Sequence, residues 1–183
     1  MRRSGGHTLA ELLVVLALAA ALLAAGAPGM ADLLARLRLR GAANELFAAI
    51  TLARAQALAR GTRVVMTPLE PSGADWSGGW RVFVDANGNL RLDPGEELLA
   101  ERGPPGGGIA IRAAFSSAHA PAYLAYNSAG RGCGADNSMA ARWGTLSLQS
   151  GRHARHIKIN MLGRVRVCDP AAEPATCTGL AGE

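Results

Sequence analysis

At 183 residues the chain has room for one globular domain plus a membrane segment, and its apolar content comes from Ala, Leu and Val, since aromatics make up only 4%. The formal charge of +5 is unevenly spread: residues 70–101 hold Glu70, Asp75, Asp85, Asp93, Glu96, Glu97 and Glu101 against Arg81 and Arg91. Residues 151–168 hold Arg152, Arg155, Lys158, Arg164 and Arg166 with His153 and His156 and no acid, so one end of the domain is basic enough to attract a polyanion. The cysteines form no Cys-x-x-Cys pair, which leaves out a zinc module, and the scattered Ser and His give no nucleophile–base signature, so the chain reads as a non-enzyme.

The N-terminal segment MRRSGGHTLAELLVVLALAAALLAAGAPGM is uncharged from Leu12 to Ala31, about the 20 residues that a membrane-spanning helix needs. Glu11 stands at its edge, where a charge costs roughly 2.5–3.5 kcal/mol on insertion scales and is usually paired. A secretory signal peptide, with Arg2 and Arg3 as its basic end and Ala25-Gly26-Ala27 as cleavage site, does not explain Glu11. Neither does an uncleaved signal anchor. Cleavage between Gly6 and His7 does, because it exposes an α-amino group four residues from Glu11. Ammonium and carboxylate at that spacing, or on neighbouring subunits, neutralise each other in a low-dielectric setting.

The short basic leader ending in Gly6, followed by His-Thr-Leu-Ala-Glu-Leu-Leu-Val-Val-Leu, resembles the class III signal of type IV pilins and pseudopilins. The resemblance implies that a prepilin peptidase cuts after Gly6 and N-methylates His7. It also implies that Glu11 recruits the subunit to a filament and that Pro28 kinks the helix. His7 stands where the family usually has Phe, and Ala10 where it usually has a bulkier residue. Residues 1–6 are then the leader and 7–29 the transmembrane half of one long helix.

Residues 30–61 continue in helical pattern. Leu33, Leu34, Leu37, Leu46, Phe47, Ile50, Ala53, Ala57 and Leu58 recur at three- and four-residue steps, while Arg36, Arg40, Asn44 and Arg54 fall on other faces. Gly61 is placed as the C-terminal cap, and a continuous helix from His7 to Arg60 spans roughly 80 Å.

Residues 62–183 change to short strands and turns. Strands are expected at Thr62–Thr67, Trp80–Val84, Gly108–Ala113, Ala122–Tyr126, Gly144–Leu148, His156–Met161 and Val165–Val167, between clusters of Gly, Pro, Asn and Asp. One long helix followed only by strands implies an α+β fold, the helix packed on an antiparallel β-rich domain.

The block WSGGWRVFVDANGNLRLDPGE (76–96), with RLRGAANEL and ARAQALARGTRV before it, resembles the GspH/FimT family of minor pseudopilins and pilins. The likeness is dense over residues 1–100, thin between Pro104 and His156, and returns at Gly163–Cys168. It implies a type IV pilin-like fold and a subunit near the tip of a type II secretion pseudopilus or a type IV pilus. The expected partners are other pilins, the prepilin peptidase and the bacterial inner membrane, which the chain crosses once with its globular domain in the periplasm.

Within that block Asp85, Asn87, Asn89, Asp93 and Glu96 place oxygen donors at positions one, three, five, nine and twelve of an EF-hand-like loop, a candidate calcium site. Leu90 occupies the sixth position, where the sharp turn calls for Gly. A polar β-hairpin accounts for the same residues without a metal, and no cofactor is otherwise expected.

The C-terminal RHARHIKINMLGRVRVC alternates, with Ile157, Ile159 and Met161 on one side of a strand and His156, Lys158 and Asn160 on the other. Leu162-Gly163 turns the chain, so that Arg164 and Arg166 share a face. Gly163-Arg164-Val165-Arg166 resembles the C-terminal Gly-Arg-x-Arg DNA-binding motif of FimT-type pilins. That likeness implies DNA uptake in natural transformation as the alternative function, with Gly163, Arg164 and Arg166 as contacts and Lys158 and Arg155 as neighbours. Guanidinium groups suit phosphate oxygens. A solvated basic face explains the same charges, and the stretch carries no stacking aromatics. Cys168 and Cys177 read as a disulfide closing a short loop beside the arginines, which leaves Cys133 as a loop thiol.

Overall fold

The computed structural model describes residues 8–70, 72, 75–116 and 122–178, apart from the side chains of residues 24–28. The expected cleavage pair Gly6–His7 and the side chain of Pro28 lie outside the described residues.

Helix α1 (Leu9–Arg60) runs for 52 residues, about 78 Å. It starts where Thr8 turns extended and its hydroxyl oxygen accepts the amide N–H of Glu11 at 3.3 Å. It stops at Gly61, whose φ of 62° is the left-handed cap that the sequence suggests.

The buried face of α1 is Leu39, Ala43, Leu46, Ile50, Ala53 and Ala57, an alternating four-and-three step that keeps one stripe inward. The expected stripe is corrected at both ends: Leu33, Leu34, Leu37 and Leu58 are exposed. The first three precede Leu39, where the buried stripe begins. Ala rather than Leu occupies many close positions, so a β-sheet packs tightly on the helix. Among the described residues no helix is long and apolar enough to cross a membrane; the uncharged run Leu12–Ala31 includes residues 24–28.

Two four-stranded antiparallel sheets follow. The first orders β3 (Leu98–Arg102), β2 (Trp80–Val84), β1 (Val64–Pro68) and β5 (Leu124–Tyr126). The second orders β4 (Ala110–Phe115), β6 (Gly144–Ser150), β7 (His153–Ile159) and β8 (Val165–Cys168). Strand β3 is absent from the sequence expectation: Leu-Leu-Ala-Glu-Arg lies on the sheet edge, half exposed, and shows neither a long apolar run nor a clear alternation. Strand β7 starts three residues earlier than expected and ends at Ile159, so Met161 falls in the following turn and is exposed.

Alternation along the strands divides the interior. Val64, Met66, Val82, Leu124 and Tyr126 face α1 together with Leu146, Leu148, Ile157 and Ile159 of the second sheet. Val65, Phe83 and Ala125 point to the other side of the first sheet, where Leu90, Tyr123 and Cys133 cover them. The loops at 85–97 and 127–142 therefore roof a second small core. Cys133 lies in the second of these loops and is fully buried, and burial pushes its thiol up to about 11, which disfavours the nucleophilic thiolate.

Candidate functional site on the basic edge

The five bases of residues 151–168 do not form one open patch, because the segment that begins one residue beyond that window covers Arg155, Lys158 and Arg166. Cys168 and Cys177 are bonded as expected, with Cα atoms 5.8 Å apart, and the loop they close carries Asp169 and Glu173 back over β7 and β8. Arg155 pairs with Asp169 at 2.6 Å. Arg166 pairs with Glu173 at 3.1 Å and donates to the Thr176 carbonyl at 2.8 Å. Lys158 donates to the Thr178 carbonyl and hydroxyl at 3.1 and 2.9 Å. Lys158 and Arg166 are direct cross-strand neighbours, and these partners relieve their like-charge contact. His156, expected outward, is buried opposite Cys168 in the register of β7 and β8.

Arg164 differs. Among the described residues it hydrogen-bonds only through its backbone, exchanging with Asn160, and its side chain is exposed. It lines a shallow groove of about 390 Å³ with Trp143, Lys158 and Arg166. Trp143 is 44% exposed and comes from just before β6, so the basic stretch alone does not reveal this aromatic beside the arginines. Gly163 serves the turn. Its φ is +74°, its amide donates to the Asn160 carbonyl, and its own carbonyl accepts the Tyr126 hydroxyl at 3.1 Å. A Cβ there would stand 2.5 Å from the Gly130 carbonyl oxygen.

Arg152 lies apart from this groove, at the turn into β7. With His153 it reaches Asp32 on α1, at 2.8 and 2.7 Å, and Arg36 closes on the other carboxylate oxygen at 2.7 Å. Arg54, off the apolar stripe as the pattern suggests, donates to the Gly130 carbonyl at 2.9 Å and ties α1 to the loop behind the groove.

The loop at Asp85–Glu96 is internally bonded. The buried Asp85 carboxylate accepts the amides of Gly88 at 2.6 Å and Leu90 at 3.3 Å and lies 3.6 Å from Arg63. The Asn87 and Asn89 amides donate to Asp93, whose carboxyl they hold below the usual range. Glu96 accepts the amides of Ala86 and Asp93. Leu90 makes the turn that Gly would make, at φ +63°, with its side chain buried in the second core.

Glu11 sits in the first turn of α1, where the helix dipole favours a carboxylate. The pattern Thr8-x-x-Glu11 is also a capping signature, a local signal that apolar patterning passes over.

The family described as type II transport protein GspH matches residues 42–163, and the prokaryotic N-terminal methylation motif matches residues 1–27. The pilin-like protein PilA1 of Thermus thermophilus is 34% identical over 163 residues, covering 88% of this chain and 97% of that protein. The solved structure of the type IV minor pilin FimU of Pseudomonas aeruginosa superposes with a TM-score of 0.55 at 20% identity, covering 78% of this chain and 97% of that one. The minor pseudopilin EpsH of the Vibrio cholerae type 2 secretion system gives a TM-score of 0.49 at 13% identity, covering 73% and 98%.

Proposed function

The chain belongs to the GspH family of pilin-like subunits, and from that membership we propose that it is a non-catalytic minor pseudopilin or pilin built into a filament at or near its tip. The observation that carries this reading is the division of α1. The methylation motif and Glu11 begin it, the core residues begin only at Leu39, and the apolar side chains from Leu9 to Leu23 are exposed. Such a surface is suited to lipid before assembly and to other helices afterwards. On this reading the prepilin peptidase cleaves between Gly6 and His7, His7 is methylated, residues 7–29 cross the inner membrane once, and the β-rich domain stands in the periplasm. On the same reading Pro28 is the residue that would kink the helix. Glu11→Ala is expected to leave cleavage intact and to lower incorporation into filaments, whereas Gly6→Val blocks the shift to mature mass. Normal incorporation of Glu11→Ala would refute the pairing of that carboxylate with a subunit amine.

A second reading is favoured by one observation, the exposed Trp143 beside Arg164 in a basic groove. A nucleic-acid strand has phosphate for the guanidinium and a base for the indole. Loss of DNA binding by Arg164→Gln with Trp143→Ala, in a folded chain, supports it; unchanged binding removes it.

A further inference from the structure

Beside the end of the uncharged run lies a cleft of about 370 Å³ between α1, the start of β7 and the loop that follows β8, lined by Arg36, Arg40, Arg152, His153, Arg155 and Asp169. We propose that this cleft seats the anionic headgroups of the leaflet from which α1 emerges, docking the globular domain on the bilayer until the subunit is drawn into a filament. The proposal rests on the reading of residues 7–29 as membrane-spanning.

Position is the first argument. Ala31 ends the uncharged run, and Asp32, the next residue, gathers Arg36, Arg152 and His153 around one carboxylate. At 1.5 Å per residue, Arg36 lies about 7.5 Å beyond Ala31 along the axis and Arg40 about 13.5 Å. The headgroup layer is roughly 5–7 Å deep on each side of the hydrocarbon. The side chains of Arg36 and the Asp32-bound Arg152 therefore fall within reach of it, and Arg40 reaches its outer edge.

Charge is the second argument. Arg155 is taken by Asp169, but Arg36 and Arg152 share the single carboxylate of Asp32, and Arg40 adds a third guanidinium to the same cleft. The two that share Asp32 stay open to solvent, Arg36 by 50% and Arg152 by 71%. Exposed arginines next to a bilayer surface attract acidic lipids. Asp32 fixes their geometry without cancelling their charge, and Leu39 with Ala154 and Pro170 gives the cleft an apolar floor.

The test uses the full chain reconstituted in vesicles of phosphatidylcholine alone or with about 30% phosphatidylglycerol, enough acidic lipid to give a negative surface potential. A fluorophore is placed on Ser150→Cys, since Cys133 is buried and the other thiols are bonded. Quenching by a headgroup nitroxide reports docking, and flotation after carbonate washing reports membrane insertion. Stronger quenching with phosphatidylglycerol supports the proposal. Each of Arg36→Gln, Arg40→Gln and Arg152→Gln is expected to lower the docked-to-free ratio about fivefold. Arg40 has no side-chain hydrogen bond or ion pair among the described residues, so Arg40→Gln separates charge from folding. Equal quenching in both lipids with flotation intact overturns the proposal alone. Loss of flotation overturns the spanning reading, and the proposal with it. Quenching unmoved by lipid while duplex DNA shields the label assigns the cleft to nucleic acid and overturns the lipid assignment.

Discussion

His153 Nε2 lies 2.7 Å from Asp32 Oδ1, joining the helix to the strand pair β6–β7 across 121 positions of sequence. That bond, with those of Arg152 and Arg36, holds the Asp32 carboxyl down at about 2 against its usual 3.8. A carboxylate with a depressed value stabilises the fold at neutral pH, and the contribution fades as pH falls from about 4 through about 2. The full chain is therefore expected to melt above Asp32→Asn at pH 7, with the gap closing as pH falls from about 4 towards about 2. A gap that persists at pH 2 places the stabilisation elsewhere.

Gly163 opens the Gly-Arg-x-Arg run, but its neighbours give it an architectural task. A methyl group at this residue meets the Gly130 carbonyl oxygen at 2.5 Å and Tyr126 Cε1 at 2.7 Å, in a backbone already at φ +74°. Gly163→Ala is expected to cost at least about 2 kcal/mol in denaturant unfolding, from left-handed strain plus displacement of the loop. Arg164→Gln, on the exposed side, stays within about 0.5 kcal/mol. Comparable losses for the two would place Arg164 in the fold rather than on its surface.

The elements legible in sequence are those governed by local rules. The end of α1 at Gly61, strand β2 at Trp80–Val84 and the Cys168–Cys177 bond each follow from a cap, an apolar run or a spacing. Legibility fails where distant segments decide. Leu33, Leu34 and Leu37 read as core because periodicity does not say where along a helix the buried core begins. Leu90 takes the glycine-like turn because burying its side chain offsets strain of order 1–3 kcal/mol, a trade visible only once the second core is known. The basic edge reads as open because Asp169, Glu173 and Thr178 return to it only through the disulfide loop.

That return makes the basic edge dependent on the disulfide. Cys168 and Cys177 are nine residues apart, which on the chain-entropy estimate gives about 2.6 kcal/mol. Reduction is expected to lower stability by about that amount and to loosen Asp169, Glu173 and Thr178 from Arg155, Arg166 and Lys158. The reduced chain then elutes from heparin at higher salt than the oxidised chain. Equal elution would show that the cations keep their partners without the bond.

The same pairs fix what a salt titration reads if DNA binds in the Trp143 groove. With Arg155, Lys158 and Arg166 held internally, Arg164 is the group left to meet phosphate, and log affinity for duplex falls with log salt at a slope of about −0.9. Reduction releases the other three and steepens it towards about −3.6. Trp143→Ala separates base from backbone. Stacking is worth roughly 1–3 kcal/mol per base, so single-strand binding weakens several-fold or more while duplex binding holds. A slope near about −3.6 in the oxidised chain would mean that DNA pulls Arg155 and Arg166 away from Asp169 and Glu173. Equal weakening of single strand and duplex would take Trp143 out of base contact and leave the groove a phosphate site alone.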